Sequence, residues 1–119
     1  MKIGIFGNEY HDGKQHSIQA LFDQLKKRNA GIWVEKQFYR SLTQTFAFPP
    51  EIKGLIHRDT FPLDMVFSLG GDGTFLRTAS WVGRQPIPVL GINTGRLGFL
   101  ADISPSDIEK TVEEIFRGE

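Results

Sequence analysis

The chain has 119 residues, enough for one domain with a real core, and its 39% hydrophobic and 24% charged content is that of an ordinary soluble globular chain. Its 14 Lys/Arg balance 14 Asp/Glu, which argues against a nucleic-acid footprint, and no apolar run is long enough for a membrane span. No cysteine is present, which excludes disulfides and thiolate metal sites, and the start runs straight into a strand pattern without signal-peptide architecture, so a cytoplasmic location is expected. Charge is unevenly placed: residues 1–60 hold nine Lys/Arg against six Asp/Glu, and residues 61–119 hold five against eight. Much of the basic surplus is Lys26-Lys27-Arg28, which reads as the polar end of a helix.

Lys2-Ile3-Gly4-Ile5-Phe6 is a short apolar strand ending at Gly7. The loop after it has Gly7 ahead of Gly13-Lys14, but the spacing is five residues where a P-loop needs four. Gln15 also stands where a magnesium-binding Ser or Thr belongs, so the P-loop reading is rejected. Ile18, Leu21, Phe22 and Leu25 fall at i, i+3, i+4 and i+7, one apolar stripe on a helix over Lys14 to Asn29, with Ser17 capping a shorter alternative. Gly31 is the expected C-terminal stop. Ile32 to Lys36 reads as a second strand and Phe38 to Phe46 as an ambiguous segment compatible with a short helix. Pro49-Pro50 marks a loop. Residues 51–63 give no clear element; His57 and Arg58 fit a surface loop better than a ligand contact. No His/Asp/Glu cluster here has metal-ligand spacing.

Asp64 to Leu69 is the third predicted strand, and it delivers the turn Gly70-Gly71-Asp72-Gly73-Thr74. Glycines let a ligand approach the main chain, and the helix expected over Phe75 to Val82 adds a partly positive N-terminus. Such a turn, past the carboxyl end of a strand in an open α/β sheet, is where ligands gather. Asp72 is the odd member, since a carboxylate repels phosphate. Three readings stand: it holds a bridging metal, accepts a proton from an attacking hydroxyl, or caps the helix. Thr74 either caps the helix or donates to a phosphate. Arg77, in the first turn, is either a solvated surface residue or a neighbour of the bound anion. Leu76, Ala79 and Val82 are expected to face the sheet, and Gly83 to end the helix.

Pro88 to Ile92 is the fourth predicted strand, followed by a second glycine-containing turn, Asn93-Thr94-Gly95-Arg96-Leu97-Gly98. In a parallel sheet the two turns lie on one edge and can wall one crevice. Ser104-Pro105-Ser106-Asp107 is a helix start with a capping serine and proline at the first helical position, and Ile108, Val112, Ile115 and Phe116 form its apolar face up to Gly118. The whole predicts a doubly wound, largely parallel α/β sheet with helices on both faces.

Gly70-Gly71-Asp72-Gly73-Thr74 resembles the signature shared by NAD kinases, diacylglycerol-kinase-type lipid kinases and 6-phosphofructokinases. Gly91-Ile92-Asn93-Thr94-Gly95-Arg96-Leu97-Gly98-Phe99-Leu100 resembles the NAD kinase member specifically, and the two stretches stand in that family's order about twenty residues apart. The resemblance implies a Rossmann-like first domain of a two-domain kinase, with a β-rich C-terminal domain beyond residue 119. It further implies phosphoryl transfer from ATP, with magnesium, to the 2′-hydroxyl of the adenosine ribose of NAD. Asp72 would then accept the proton. Gly70, Gly71, Gly73, Thr74, Arg77 and Phe99 would contact the nucleotides; core packing stands beside the pocket reading for Phe99. No dedicated protein metal site is expected, and the complete chain is expected to be a homodimer or homotetramer. Asn93 and Arg96 carry no assigned role. The alternatives are a lipid or sugar kinase sharing the first turn, against which the second stretch argues, and a nucleotide-binding module without catalysis.

Overall fold

The computed structural model describes residues 1–7, 15–45, 51–57, 63–70, 72–93 and 105–117. Strand β1 (Lys2–Gly7) lies at the middle of a five-stranded sheet, and every neighbouring pair in it is parallel. The remaining elements are α1 (Gln15–Lys27), β2 (Gly31–Glu35), α2 (Lys36–Thr45), β3 (Gly54–Ile56), β4 (Met65–Gly70), α3 (Asp72–Val82), β5 (Val89–Asn93) and α4 (Pro105–Phe116). Strand order is β3-β2-β1-β4-β5, the arrangement of a doubly wound, Rossmann-like α/β sheet.

Parallel strands need long crossovers, and helices supply them while covering the sheet. Alternation along the strands splits the apolar residues between two cores. Ile3 and Ile5 of β1, Ile32 and Val34 of β2, Phe67 and Leu69 of β4 and Ile92 of β5 point to one face. There they meet Ile18, Leu21, Phe22 and Leu25 of α1, Phe38 and Leu42 of α2, and Ile108 and Val112 of α4. The opposite face carries Phe6 and Val66, joined by Leu63 and by Val82 of α3, with Trp33, Ile56, Trp81 and Val89 packed around them. The Phe6 and Trp81 rings lie 5.3 Å apart at 56°. The expected apolar stripes of α1 and α4 are therefore both buried or packed on the core, Ile115 and Phe116 included.

Several details differ from the sequence reading. Helix α1 ends on Asn29, not on Gly31. Asn29 sits in the left-handed region at φ 57°, its N–H donates to Lys26 O at 3.0 Å, and Ala30 N–H donates to Leu25 O at 3.1 Å. This is a Schellman stop, and asparagine tolerates the left-handed angle. Gly31 instead opens β2, paired with Lys2, and Lys36 opens α2. A short strand, β3, occupies part of the segment that showed no pattern. Helix α3 begins at Asp72, three residues before the predicted start, and ends at Gly83 as expected, φ 60°. Its inward stripe is not Leu76-Ala79-Val82: Leu76 is 64% exposed and Ala79 is also exposed, while Thr74, Thr78 and Val82 are buried at i, i+4 and i+8.

Gly7 ends β1 under the ring of Phe38. A Cβ built on it would stand 2.4 Å from Phe38 Cδ1 and 2.6 Å from Cγ, so a side chain there requires the Phe38 ring to shift. Gly7→Ala in this chain is expected to lower unfolding free energy in urea by about 1–3 kcal/mol, the usual cost of overpacking. A loss below a few tenths would mean that Phe38 moves freely.

Candidate functional site

The carboxyl ends of the strands form one rim. Gly7 of β1 pairs with Leu69 of β4, and Gly70 of β4 pairs with Asn93 of β5, so three strand ends lie level. Helix α1 leaves β1 toward one face and α3 leaves β4 toward the other. The direction in which strands are added to the sheet therefore reverses between β1 and β4, and ligands bind at such a point. The two glycine-containing turns do start from neighbouring strands, as expected.

Gly70 is the buried last residue of β4. Asp72 is the first residue of α3. Gly71, the side chain of Asp72, and Phe99 with the rest of the second turn beyond Asn93 lie outside the described residues. Gly73 is exposed, and a Cβ on it would meet nothing within 4 Å. Neither packing nor a positive φ requires glycine there, since the residue is helical. Thr74 is buried at 3%, and its hydroxyl finds no hydrogen-bond partner among the described residues, so it caps nothing there.

Thr74 belongs to a buried polar strip that the sequence reading missed. Thr78, fully buried one turn on, donates its hydroxyl to Thr74 O at 2.7 Å. Ser68 of β4, also fully buried, lies on the strand face that α3 covers, and its hydroxyl too is without a partner among the described residues. A buried hydroxyl left without a hydrogen bond costs about 1–3 kcal/mol. The available signal was a serine inside an otherwise apolar strand.

Arg77 projects across the rim. Its Nε donates to Glu35 Oε2 at 3.1 Å, its Nη2 to Glu35 Oε1 at 2.8 Å, and Nη2 also to Gly7 O at 2.9 Å. One guanidinium on α3 thus joins the carboxyl ends of β1 and β2. Sequence reasoning placed Arg77 near the site and gave Glu35 no role; the two are 42 positions apart. His57 follows β3 and is exposed, and Arg58 lies outside the described residues.

Among the described residues no three His, Cys, Asp or Glu side chains come together to hold a metal ion. No helix among them is long and apolar enough to cross a membrane. A cavity of about 400 Å³, lined by Lys26, Asn29, Glu51 and Lys53 among others, lies at the amino ends of β2 and β3. It is open to solvent at the wrong edge of the sheet for the two turns.

A family model described as the ATP-NAD kinase N-terminal domain matches residues 3–119. The chain is 47% identical over 117 residues to an NAD kinase of Bacteroides fragilis, covering 98% of this chain and 40% of the relative. It is 42% identical over 120 residues to an NAD kinase of Porphyromonas gingivalis, covering 99% and 41%. An NAD kinase of Christiangramia forsetii is 38% identical over 120 residues, covering 97% and 40%. The chain spans about two fifths of the length of these curated relatives.

Two substitutions test the geometry by urea denaturation of this chain. Thr74→Val removes an orphan hydroxyl and is expected to raise stability by about 1 kcal/mol. Gly73→Ala replaces a helical glycine where there is room, and is expected to raise it by about 0.5–1 kcal/mol. A clear loss in either would show that the hydroxyl is bonded or the space is filled.

Proposed function

The chain belongs to the ATP-NAD kinase family, and from that membership we propose that it is the N-terminal domain of an enzyme converting NAD to NADP. In this reading the complete protein transfers the terminal phosphoryl group of ATP to the 2′-hydroxyl of the adenosine ribose of NAD. The observation that carries it is the direct pairing of Gly70 with Asn93, because it sets the starts of both motif turns side by side on the rim.

The 2′-oxygen attacks the terminal phosphorus, the bond to the bridging oxygen breaks, and ADP leaves. Asp72, at the start of α3, accepts the hydroxyl proton. A carboxylate with an ordinary pKa of about 3.9 suffices, because the loose transition state releases the proton late and positioning outweighs basicity. Gly70, Gly71 and Gly73 let phosphate oxygens approach the backbone N–H groups at the N-terminus of α3. The empty space beside Gly73 and the orphan hydroxyl of Thr74 support a phosphate at this place. Arg77 adds positive charge beside it, and Phe99 lines the dinucleotide pocket. Magnesium belongs in this reading to the nucleotide substrate and is held mainly by its phosphates.

The rest of the dinucleotide site lies in a β-rich C-terminal domain outside this chain. The same reading makes the complete protein a cytoplasmic homodimer or homotetramer. Residues 1–119 alone are expected to show no NADP formation; robust turnover by this chain would contradict the two-domain site. In the complete protein, Asp72→Asn is expected to lower kcat by at least about a hundredfold, within the range for general acid–base groups, while nucleotide binding by calorimetry largely survives. Equal loss of binding would assign Asp72 to structure or to metal holding instead.

A further inference from the structure

Arg77 raises a chemical question that its own position does not answer. An arginine near a phosphate site is useful, yet this one has a carboxylate beside it, and a carboxylate repels phosphate. The geometry resolves the conflict. Glu35 takes the side edge of the guanidinium, Nε and Nη2, in a two-point fork. The second N–H of Nη2 goes to Gly7 O. In a planar guanidinium the outward N–H of Nη1 runs parallel to that second N–H. Nη1 makes no hydrogen bond among the described residues, and the Arg77 side chain is 45% exposed while that of Glu35 is only 18% exposed. The Nη1 N–H therefore lies beside the N–H that binds Gly7 O, at the carboxyl end of β1, where Gly7 is paired with Leu69 of β4.

We propose that Glu35 is a positioning residue that holds Arg77 so that its free Nη1 meets the phosphate chain of a nucleotide at the β1/β4 crevice. This rests on the phosphotransferase reading above and adds a member to its site. A free arginine loses much rotamer entropy on binding an anion; one already clamped at two strand ends loses little. The Glu35 charge is absorbed by the same clamp, so it repels phosphate only when Arg77 is gone.

That condition gives the test. In the complete protein, KM and kcat are measured for ATP at saturating NAD and for NAD at saturating ATP. The two titrations distinguish which nucleotide supplies the phosphate. Arg77→Gln is expected to raise one KM by about tenfold or more, the loss of one charge-assisted hydrogen bond, with kcat within about twofold. Glu35→Gln raises the same KM less, by about threefold, because the guanidinium keeps a neutral partner. The double variant Arg77→Gln with Glu35→Gln binds better than Arg77→Gln alone, since the uncompensated carboxylate is removed. Arg77→Lys, which keeps the charge but not the fork, covers the case in which Arg77→Gln does not fold, and is expected to raise the same KM with the thermal midpoint nearly unchanged. Variants that shift only the thermal midpoint and leave both KM values within twofold would overturn the proposal and make the pair a structural tie. Strictly additive effects in the double variant would also overturn it. A wild-type protein that forms no NADP would instead overturn the phosphotransferase reading itself.

Discussion

The pairing of β1 with β4, from Ile3 with Met65 to Gly7 with Leu69, is the seam on which the rest of the structure depends. Before it, the chain builds outward through β2 and β3; after it, the chain builds the other way through β5. Right-handed crossovers then put α3, which joins β4 to β5, on the face opposite α1 and α2, while α4 after β5 packs on the face of α1. The seam is apolar and buried: Ile3, Ile5, Val66 and Phe67 are fully buried along it. It also brings together two strand ends whose following helices diverge, the arrangement that leaves room for a ligand at the rim.

What surrounds that opening is built from groups that a purely structural design would avoid. Two hydroxyls, of Ser68 and Thr74, are buried without partners among the described residues, and a glycine occupies a helical position where alanine would fit. Each lowers stability by a fraction of the domain's few kcal/mol, and each lies between β4 and the first turn of α3 or within that turn. Tight packing is kept one strand away, where Gly7 is pressed against Phe38. Rigid strand ends next to an underused helix start suit a site that must hold an anion in one geometry. The Arg77 clamp ties α3 to the ends of β1 and β2 by three hydrogen bonds.

Elements with a strong period were legible in the sequence. The stripe Ile18, Leu21, Phe22, Leu25 and the proline-led start of α4 are matched by burial and by the observed bounds. β3 was not legible, because three residues with a glycine at one end carry no period. Helix α3 misled for a physical reason. Apolar residues were assigned to the inside, whereas Thr74 and Thr78 face inward and Leu76 faces solvent. The place of the first glycine turn, between the end of β4 and the start of α3, was legible for Gly70, Asp72, Gly73 and Thr74. Gly71 and Phe99 lie outside the described residues. Glu35 was invisible because an acid at a strand end has no meaning until the fold brings Arg77 to it.

The exposed Leu76 and the half-buried Phe75 stand on α3 next to the turn. The chemistry at the rim is reached most directly by one measurement. The complete protein is incubated with NAD and ATP labelled in its terminal phosphoryl group, with magnesium, and the position of the label in the products is determined. The account requires label in NADP as a 2′-phosphate on the adenosine ribose. Label absent from NADP, or carried to a lipid or sugar acceptor while NAD is left unchanged, would contradict it.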